Sequence, residues 1–290
     1  MATTRSMSPP RLGALVRALR PRQWVKNVLV GAAPVAASTL DEGATLARTI
    51  AAFVIFVAAS GTTYLFNDVA DVQIDQLHPT KRRRPIAAEE ISLRFALQVA
   101  AILGIGSVVG ATLLAWQFGV VIAIYLGVNL AYSAGLKRWP AVELAAIASG
   151  FVLRAVGGGA ATDTPLSAWF VVVVCAASLF VVAGKRSAEL IRTAGNGGRP
   201  VLQHYTANQL RLLRAVTAAV ALVAYSLWVV NQDLAIEWLA ALSLLPFGGA
   251  LGRYSTAIEA GRGEDPEDIA LGDRGFQLMC VGWIVIYGVA

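Results

Sequence analysis

Long apolar runs separated by short polar stretches occupy the chain from residue 24 to residue 290. A run of about 20 apolar residues is long enough to cross a bilayer as an α-helix. Windows of that kind predict nine spans, near residues 24–40, 46–66, 93–113, 116–134, 141–160, 166–184, 211–231, 234–252 and 274–290. The pattern therefore predicts an all-α polytopic membrane protein, with a single nine-helix transmembrane domain over residues 21–290.

The charges between these runs predict how the chain is oriented. Lysine and arginine concentrate in alternate connections, whereas the opposite connections carry acids such as Asp41, Asp163 and Asp233, with Arg48 as their cation. Cytoplasmic loops of membrane proteins carry the excess of lysine and arginine. We therefore expect a multi-pass protein of the plasma (inner) membrane, with its amino terminus and its long loops in the cytoplasm.

Two further regions stand out in this pattern. Residues 1–20 contain no signal-peptide core and are expected to form a separate basic cytosolic arm. The connections 67–92, 185–210 and 253–273 are about two dozen residues long, a length that is typical of functional or disordered loops. The first two follow the second and the sixth predicted spans, which suggests two halves of four helices each.

Composition narrows the class of protein. Of the 290 residues, 57% are hydrophobic and 14% are charged, whereas a soluble domain carries about 25% charged residues. This excludes an ordinary soluble enzyme, a disordered chain and a coiled coil. The net charge of +6 sits in the gaps between apolar runs, so topology explains most of it and no nucleic-acid partner is expected.

Cysteine and histidine limit the kinds of metal site. The two cysteines lie in apolar runs and the chain has only two histidines, so neither a disulfide framework nor a histidine-rich site is expected. A metal would have to be held by carboxylates, which favours Mg²⁺, with Mn²⁺ as the alternative.

Three aspartates at the end of the second predicted span are the main candidates for chemistry. Asp68, Asp71 and Asp75 have the spacing i, i+3, i+7, which places them on one face of a helix, and Asn67 lies on an adjacent strip. A solvated acidic face is the alternative. Acids next to the end of a membrane helix are functional by default. We expect Asn67, Asp68, Asp71 and Asp75 to hold the metal, completed by substrate phosphates.

A run of four cations follows the aspartates. It reads Lys81-Arg82-Arg83-Arg84 and is flanked by prolines. Its proximity to a metal site favours an anionic ligand, and Lys81 and Arg84 are predicted to bind phosphate. A positive-inside anchor on anionic lipid is the alternative.

The motif Asn67-Asp68-x-x-Asp71-x-x-x-Asp75 followed by Lys-Arg-Arg-Arg-Pro-Ile resembles the first aspartate-rich motif of the UbiA superfamily of intramembrane prenyltransferases. The likeness extends from Arg20-Pro21-Arg22-Gln23-Trp24 to Asp273-Arg274. It implies a ring of nine helices with two acidic motifs on cytosolic loops, and a diphosphate bound through Mg²⁺.

The second acidic motif departs from that pattern. Its place reads Gly184-Lys185-Arg186-Ser187-Ala188-Glu189-Leu190-Ile191-Arg192, with one acid among three cations. Further segments read Arg199-Pro200-Val201-Leu202-Gln203-His204-Tyr205, Arg253-Tyr254 and Gly263-Glu264-Asp265-Pro266-Glu267-Asp268. Together with the altered motif they resemble the branch of decaprenyl-phosphate phosphoribosyltransferases of cell-wall arabinan synthesis. Their donor, phosphoribosyl pyrophosphate, carries a 5-phosphate as well as a diphosphate, and the added cations match that anionic load.

The residue pattern and the family resemblance together predict the site. The catalytic residues are expected to be Asp68, Asp71, Asp75, Lys185 and Glu189. Substrate binding is expected from Arg22, Lys26, Asn67, Lys81, Arg84, Lys137, Arg154, Arg186, Arg192 and Arg253. Arg154 lies within an apolar run and should face the bundle interior; pairing with Glu143 or Glu189 is its alternative role. The run Gly157-Gly158-Gly159 is better explained by close helix packing or a kink than by a phosphate loop.

The predicted function is Mg²⁺-dependent transfer of 5-phosphoribosyl from phosphoribosyl pyrophosphate to a polyprenyl phosphate, decaprenyl phosphate in that branch, with release of diphosphate. The alternative is a UbiA-type transfer of an isoprenoid from its diphosphate to an aromatic acceptor. A transporter is disfavoured because the charges cluster in the loops of one face rather than at the midplane. A homo-oligomer is left open.

Overall fold

Among the residues that the structure describes, six helices are long and apolar enough to cross a membrane. The computed structural model describes residues 12–193, 200–232, 236–262 and 265–290, which are all-α. The six helices are α3 (Gly43–Ala70), α5 (Leu93–Leu114), α6 (Trp116–Ala134), α7 (Pro140–Thr162), α8 (Ala168–Thr193) and α9 (Ala207–Val230). They make the chain a multi-pass membrane protein. Arg5, Arg11, Arg199 and Asp233 lie outside the described residues.

The other helices are shorter. They are α1 (Leu12–Ala18), α2 (Ala32–Ala36), α4 (Val72–Leu77), α10 (Glu237–Leu242), α11 (Leu244–Glu259), α12 (Pro266–Gly272) and α13 (Arg274–Val289). Four stretches form 3₁₀ helices, at Pro21–Gly31, Lys81–Arg83, Leu136–Arg138 and Pro200–His204. Helices α12 and α13 meet at an angle of 80° and together have the apolar length of a seventh span.

The predicted count of nine straight spans is not confirmed, and prolines explain two of the differences. The first predicted span is a 3₁₀ helix followed by α2, which contains Pro34. The eighth is split into α10 and α11. Pro246 has no N–H and its ring clashes with the carbonyl four residues earlier, at Leu242, where α10 ends.

The helices associate in two groups of four. Helices α3, α5, α6 and α7 pack on one another, and so do α8, α9, α11 and α13, while α7 against α8 joins the groups. The 3₁₀ helix Pro21–Gly31 packs against α3 and α7 of the first group and against α12, which leads into α13 of the second group. This segment therefore carries Arg22 and Lys26 to the boundary between the two groups.

Glycine allows that segment to approach α7 closely. A Cβ built on Gly158 would overlap the backbone carbonyl of Val30, and one on Gly157 would collide with the ring of Phe56. Only a residue without a Cβ fits such an approach. The glycine run is therefore used for packing, as predicted.

The outer surface is apolar. Ile102, Ile105 and Leu113 on α5 are 70%, 66% and 82% exposed, and α6, α9 and α13 carry similar side chains on their outer faces. Exposed apolar surface of this extent is uncommon on a soluble monomer. It is the surface expected of helices that face lipid.

Helix α1 packs on the end of the bundle. Its Ala14 and Ala18 are buried in a cluster with Leu65, Ile86 and Ile91. The described part of the predicted arm is therefore attached to the membrane domain, and it positions Arg20 beside the end of α3.

Candidate active site

The first aspartate motif lies where α3 ends. The helix is interrupted at Asp71, which connects α3 to α4. Asp68 and Asp75 are each 2% exposed, and both accept a hydrogen bond from the same nitrogen of Arg84, at 3.0 and 2.6 Å. Asp68 also pairs with Arg20. Two of the three aspartates therefore meet around one guanidinium.

The third aspartate points elsewhere. Asp71 accepts from the Lys137 Nζ at 2.8 Å, and Lys137 lies in the 3₁₀ helix that joins α6 to α7. Asn67 accepts from the hydroxyl of Ser133 at 3.3 Å, at the end of α6. Asp71, the residue between α3 and α4, is therefore paired with a different cation from Asp68 and Asp75.

These side chains suit a hard cation bound by few protein ligands. In the described part of the chain, no three His, Cys, Asp or Glu side chains converge into a metal cluster. Mg²⁺ is usually bound through one or two carboxylates, with waters and substrate phosphates completing the shell. Asp68 and Asp75 fit that description, since they already share one positive charge, that of Arg84.

A second set of acids lies on α12 and the residue before it. Glu267 is 4% exposed and pairs with Lys26 at 2.9 Å. Asp265 pairs with Lys185 at 3.3 Å and Asp268 with Arg22 at 2.9 Å. Lys26 and Lys185 are within electrostatic range of each other. The structure therefore brings the 3₁₀ helix Pro21–Gly31, the second half of α8 and α12 together around one group of charges.

Arg253 belongs to the same end of the bundle. It donates to Asp273 at 2.9 Å, and Asp273 also caps α13 by accepting from the Phe276 amide at 3.0 Å.

Lys81 is half-buried and Arg192 is exposed, and both have interactions within the protein.

Arg186 and Glu189 lie in a closed ion-pair cluster. Arg186 is fully buried between Glu143 of α7 and Glu189, one turn further along α8. Nearby, Tyr205 donates to the carbonyl of Pro140, and burial raises the pKa of Tyr205 to about 12. Arg186 and Glu189 therefore bond to each other, while the neighbouring Lys185 points towards α12.

Arg154 is buried among neutral groups. It is 5% exposed and donates to the side chain of Asn27 at 2.7 Å, to Ser60 at 3.0 Å, to Tyr125 at 2.9 Å and to the carbonyl of Gly150 at 2.6 Å. No described carboxylate pairs with it, so the alternative of a pair with Glu143 or Glu189 is wrong. Its four acceptors satisfy hydrogen bonds but leave the positive charge uncompensated by an acid.

Sequence reasoning missed four residues of this arrangement. Arg20 was assigned only to the basic arm, yet it bonds Asp68. Asp265, Glu267 and Asp268 were given no role in the predicted site, yet they pair with three predicted cations, and Arg20 pairs with Asp68. Four acids within the five residues 264–268 were the signal that could have identified them.

Comparison with known proteins assigns this chain to a family. The UbiA prenyltransferase family matches residues 27–276. The chain belongs to that family. The solved structure of a UbiA homolog from Archaeoglobus fulgidus bound to GPP and Mg²⁺ superposes with a TM-score of 0.72 at 16% identity, covering 95% of this chain and 100% of that one. The fold of this UbiA-family chain is therefore shared with solved members.

Curated relatives place it more narrowly. It is 42% identical over 286 residues to a decaprenyl-phosphate phosphoribosyltransferase of Mycobacterium tuberculosis (strain CDC 1551 / Oshkosh), covering 96% of this chain and 94% of the relative. It is 37% identical to the enzyme of the same name from Corynebacterium glutamicum, covering 95% of this chain and 86% of the relative. Relatives of this one name therefore match nearly the whole length of this UbiA-family chain.

Proposed function

We propose that this protein transfers a 5-phosphoribosyl group from phosphoribosyl pyrophosphate to a polyprenyl phosphate, with decaprenyl phosphate as the natural acceptor. The relatives at 37–42% identity carry the name of that activity. The observation that carries the proposal is the number of cations at the site, since Arg20, Arg84, Lys137, Lys26 and Lys185 all lie against its carboxylates.

The cations favour this donor over a prenyl diphosphate. A prenyl diphosphate presents one charged group, whereas phosphoribosyl pyrophosphate presents a diphosphate and a 5-phosphate, and the lipid acceptor adds a third charged group. On α8, where the family pattern expects a second acidic motif, Glu189 is bonded by the buried Arg186 and Lys185 is directed at the site. Charge-assisted bonds from lysine and arginine are the usual means of binding several phosphates.

The carboxylates of Asp68 and Asp75, assisted by Asn67 or Asp71, would hold Mg²⁺, with Mn²⁺ as the alternative. When bound, the metal supplies positive charge that stabilises the departing diphosphate. Arg84 and Arg20 would then be released from the aspartates to bind phosphate oxygens. Lys185 and Lys26 would neutralise the anionic groups of the donor from the opposite side.

The reaction needs few further groups from the protein. The bond between ribose C1 and the diphosphate oxygen breaks, and its electron pair leaves with diphosphate. A phosphate oxygen of the lipid, already anionic, forms the new bond to C1 and needs no general base. The ribosyl centre passes through a state with oxocarbenium character, and attack from the opposite face inverts C1. The basic residues stabilise charge, which is electrostatic catalysis.

The proposal includes where the reaction takes place. Lysine and arginine excess supports an orientation with this end of the bundle in the cytoplasm and the protein in the plasma membrane. Phosphoribosyl pyrophosphate is a water-soluble anion, so a site on that face receives it from the cytosol. The product would serve cell-wall arabinan synthesis.

Release of diphosphate tests the proposal. Purified protein with Mg²⁺ and phosphoribosyl pyrophosphate should release diphosphate only when a polyprenyl phosphate is added, and polyprenol, which lacks the phosphate, should not replace it. Release that does not depend on the lipid phosphate would contradict the proposed acceptor. Diphosphate release from a prenyl diphosphate with an aromatic acid, and none from phosphoribosyl pyrophosphate, would favour an ordinary family prenyltransferase instead.

A further inference from the structure

A cavity of about 260 Å³ lies between α8, α9 and α11, and it shares no residue with the predicted site. Its lining is Ser187, Leu190, Ile191, Ala207, Arg211, Arg214 and Glu259. Two arginines and one glutamate leave it with a net positive charge. A binding site for an anion is the first interpretation to test, because cations at the edge of a membrane attract anionic head groups.

The buried arginine is the stronger observation. Arg214 is 7% exposed, and its Nε is buried without a hydrogen-bond partner among the described residues. Its pairing with Glu259 is long, at 3.3 Å, and the Glu259 side chain is 67% exposed. A buried donor that lacks a partner is unfavourable, so this part of the fold is suited to a hydrogen-bond acceptor that the described residues do not supply.

The position of the cavity along α9 indicates the source of that hydrogen-bond acceptor. Helix α9 has 24 residues, about 36 Å at 1.5 Å per residue, which exceeds the hydrocarbon thickness of about 30 Å. Arg211 and Arg214 lie in its first two turns, and the residues from Val216 to Val230 are mostly apolar. The arginines therefore sit at the level of lipid head groups, not in the middle of the bilayer.

The remaining lining residues suit an amphiphile. Ser187 adds a hydroxyl, and Leu190 and Ile191 present apolar surface beside the charges. Ile191 is 52% exposed, so the apolar side of the cavity continues onto the outer surface of α8. A free inorganic anion would use the arginines but not this apolar wall.

We propose that this cavity binds the phosphate head group of a membrane lipid, held by Arg211 and Arg214, with the start of the lipid chain along Leu190 and Ile191. The proposal is independent of which donor the enzyme uses. The lipid phosphate can come from bulk anionic phospholipid or from a polyprenyl phosphate, and the two sources are separated by experiment.

The test is lipid binding to the delipidated full-length protein in detergent, followed by native mass spectrometry. Phosphatidylglycerol and polyprenyl phosphate are titrated separately, and polyprenol and diacylglycerol serve as lipids without a phosphate. Arg214→Gln and Arg211→Gln should each weaken binding of the phosphate-bearing lipid about tenfold, the loss expected for one charge-assisted bond. Arg211 is exposed, so its variant remains informative if Arg214→Gln does not fold.

Arg94→Gln is the matched control, because Arg94 is also an exposed arginine in the first turn of a spanning helix. It should bind lipid as the wild type does. Binding of phosphatidylglycerol and polyprenyl phosphate alike would assign the cavity to anionic lipids in general, and binding of polyprenyl phosphate alone would make it a site for the acceptor. Wild-type affinity in the Arg211→Gln and Arg214→Gln variants, or equal binding of polyprenol, would overturn the proposal.

Discussion

Asp68 and Asp75 occupy the position on which the proposed chemistry depends most. Each has an arginine as its partner in the structure, so neither is an isolated buried charge. Replacing Asp68 with asparagine removes one anionic oxygen with little change of shape. We expect Asp68→Asn to lower turnover at least about 100-fold, as for other lost electrostatic contacts in active sites.

Excess Mg²⁺ should recover part of that activity, because mass action offsets a weakened metal affinity. Asp163→Asn is the matched control. Asp163 ends α7 on the opposite face with a φ of 58°, a conformation that asparagine also tolerates. Equal turnover of Asp68→Asn and wild type at low Mg²⁺ would mean that the aspartates form a solvated acidic face.

Lys185 and Arg186 are neighbours, but substituting them should have different effects on stability. Arg186→Gln leaves Glu143 and Glu189 buried together without their cation, a change that typically costs about 3–5 kcal/mol. Lys185→Gln removes only a partly exposed pair with Asp265, worth less than about 1 kcal/mol. Thermal unfolding in detergent should therefore show a large loss for Arg186→Gln and almost none for Lys185→Gln.

Among folded variants, donor binding should be weakened more by Lys185→Gln than by Arg186→Gln. Lys185→Gln should weaken binding of phosphoribosyl pyrophosphate about tenfold or more, because one charge-assisted bond to a phosphate is lost. Wild-type donor affinity in Lys185→Gln would remove Lys185 from the site. A stable, active Arg186→Gln would show that the buried cluster has no structural role.

Single residues show what sequence could and could not predict about the site. Asp68, Lys137 and Lys185 were predicted because acids and cations at the ends of apolar helices have few structural explanations. The pairing of Arg186 with Glu143 was not predicted, because it depends on how α7 and α8 are rotated against each other. The rotation of α7 against α8 cannot be derived from a single sequence.

At the scale of elements, the contact between α7 and the 3₁₀ helix Pro21–Gly31 determines where Lys26 and Asn27 lie. Gly158→Ala would place a Cβ against the Val30 carbonyl, which is backbone and cannot rotate away. We expect it to destabilise the protein by about 1–3 kcal/mol and to lower activity through displacement of Lys26. Thermal unfolding and turnover, measured on the same preparation, check both effects.

Gly127→Ala is the control for this substitution. Gly127 lies within α6, and a Cβ there would meet nothing within 4 Å. Alanine is favoured over glycine in a helix interior by about 1 kcal/mol, so this variant should be as stable as the wild type or more stable. A Gly158→Ala protein as stable as Gly127→Ala would show that the close approach is not required.

The elements themselves were partly predictable. The six long helices follow directly from apolar runs of sufficient length. The interruptions at Pro34 and Pro246 are indicated by the sequence, since proline disfavours a continuous helix. They were missed because the spans were predicted from apolar length alone. The 80° bend between α12 and α13 falls at Asp273, which caps α13, and hydropathy does not describe it.

At the scale of the whole molecule, the proposed orientation makes a prediction that is independent of catalysis. A cysteine at Thr80, in the loop after α4, should be labelled by a membrane-impermeant thiol reagent only from the cytoplasmic side. A cysteine at Thr164, between α7 and α8, should be labelled only from outside. Labelling of both from the same side would contradict the orientation.

The identity of the donor is the central claim, and a competition experiment tests it most directly. Purified protein is given Mg²⁺, phosphoribosyl pyrophosphate, a prenyl diphosphate, polyprenyl phosphate and an aromatic acid together, and the lipid products are identified by mass spectrometry. We predict a single product, polyprenyl phosphate carrying phosphoribose, which mild acid cleaves. A prenylated aromatic acid in the absence of any phosphoribosyl lipid would contradict the account.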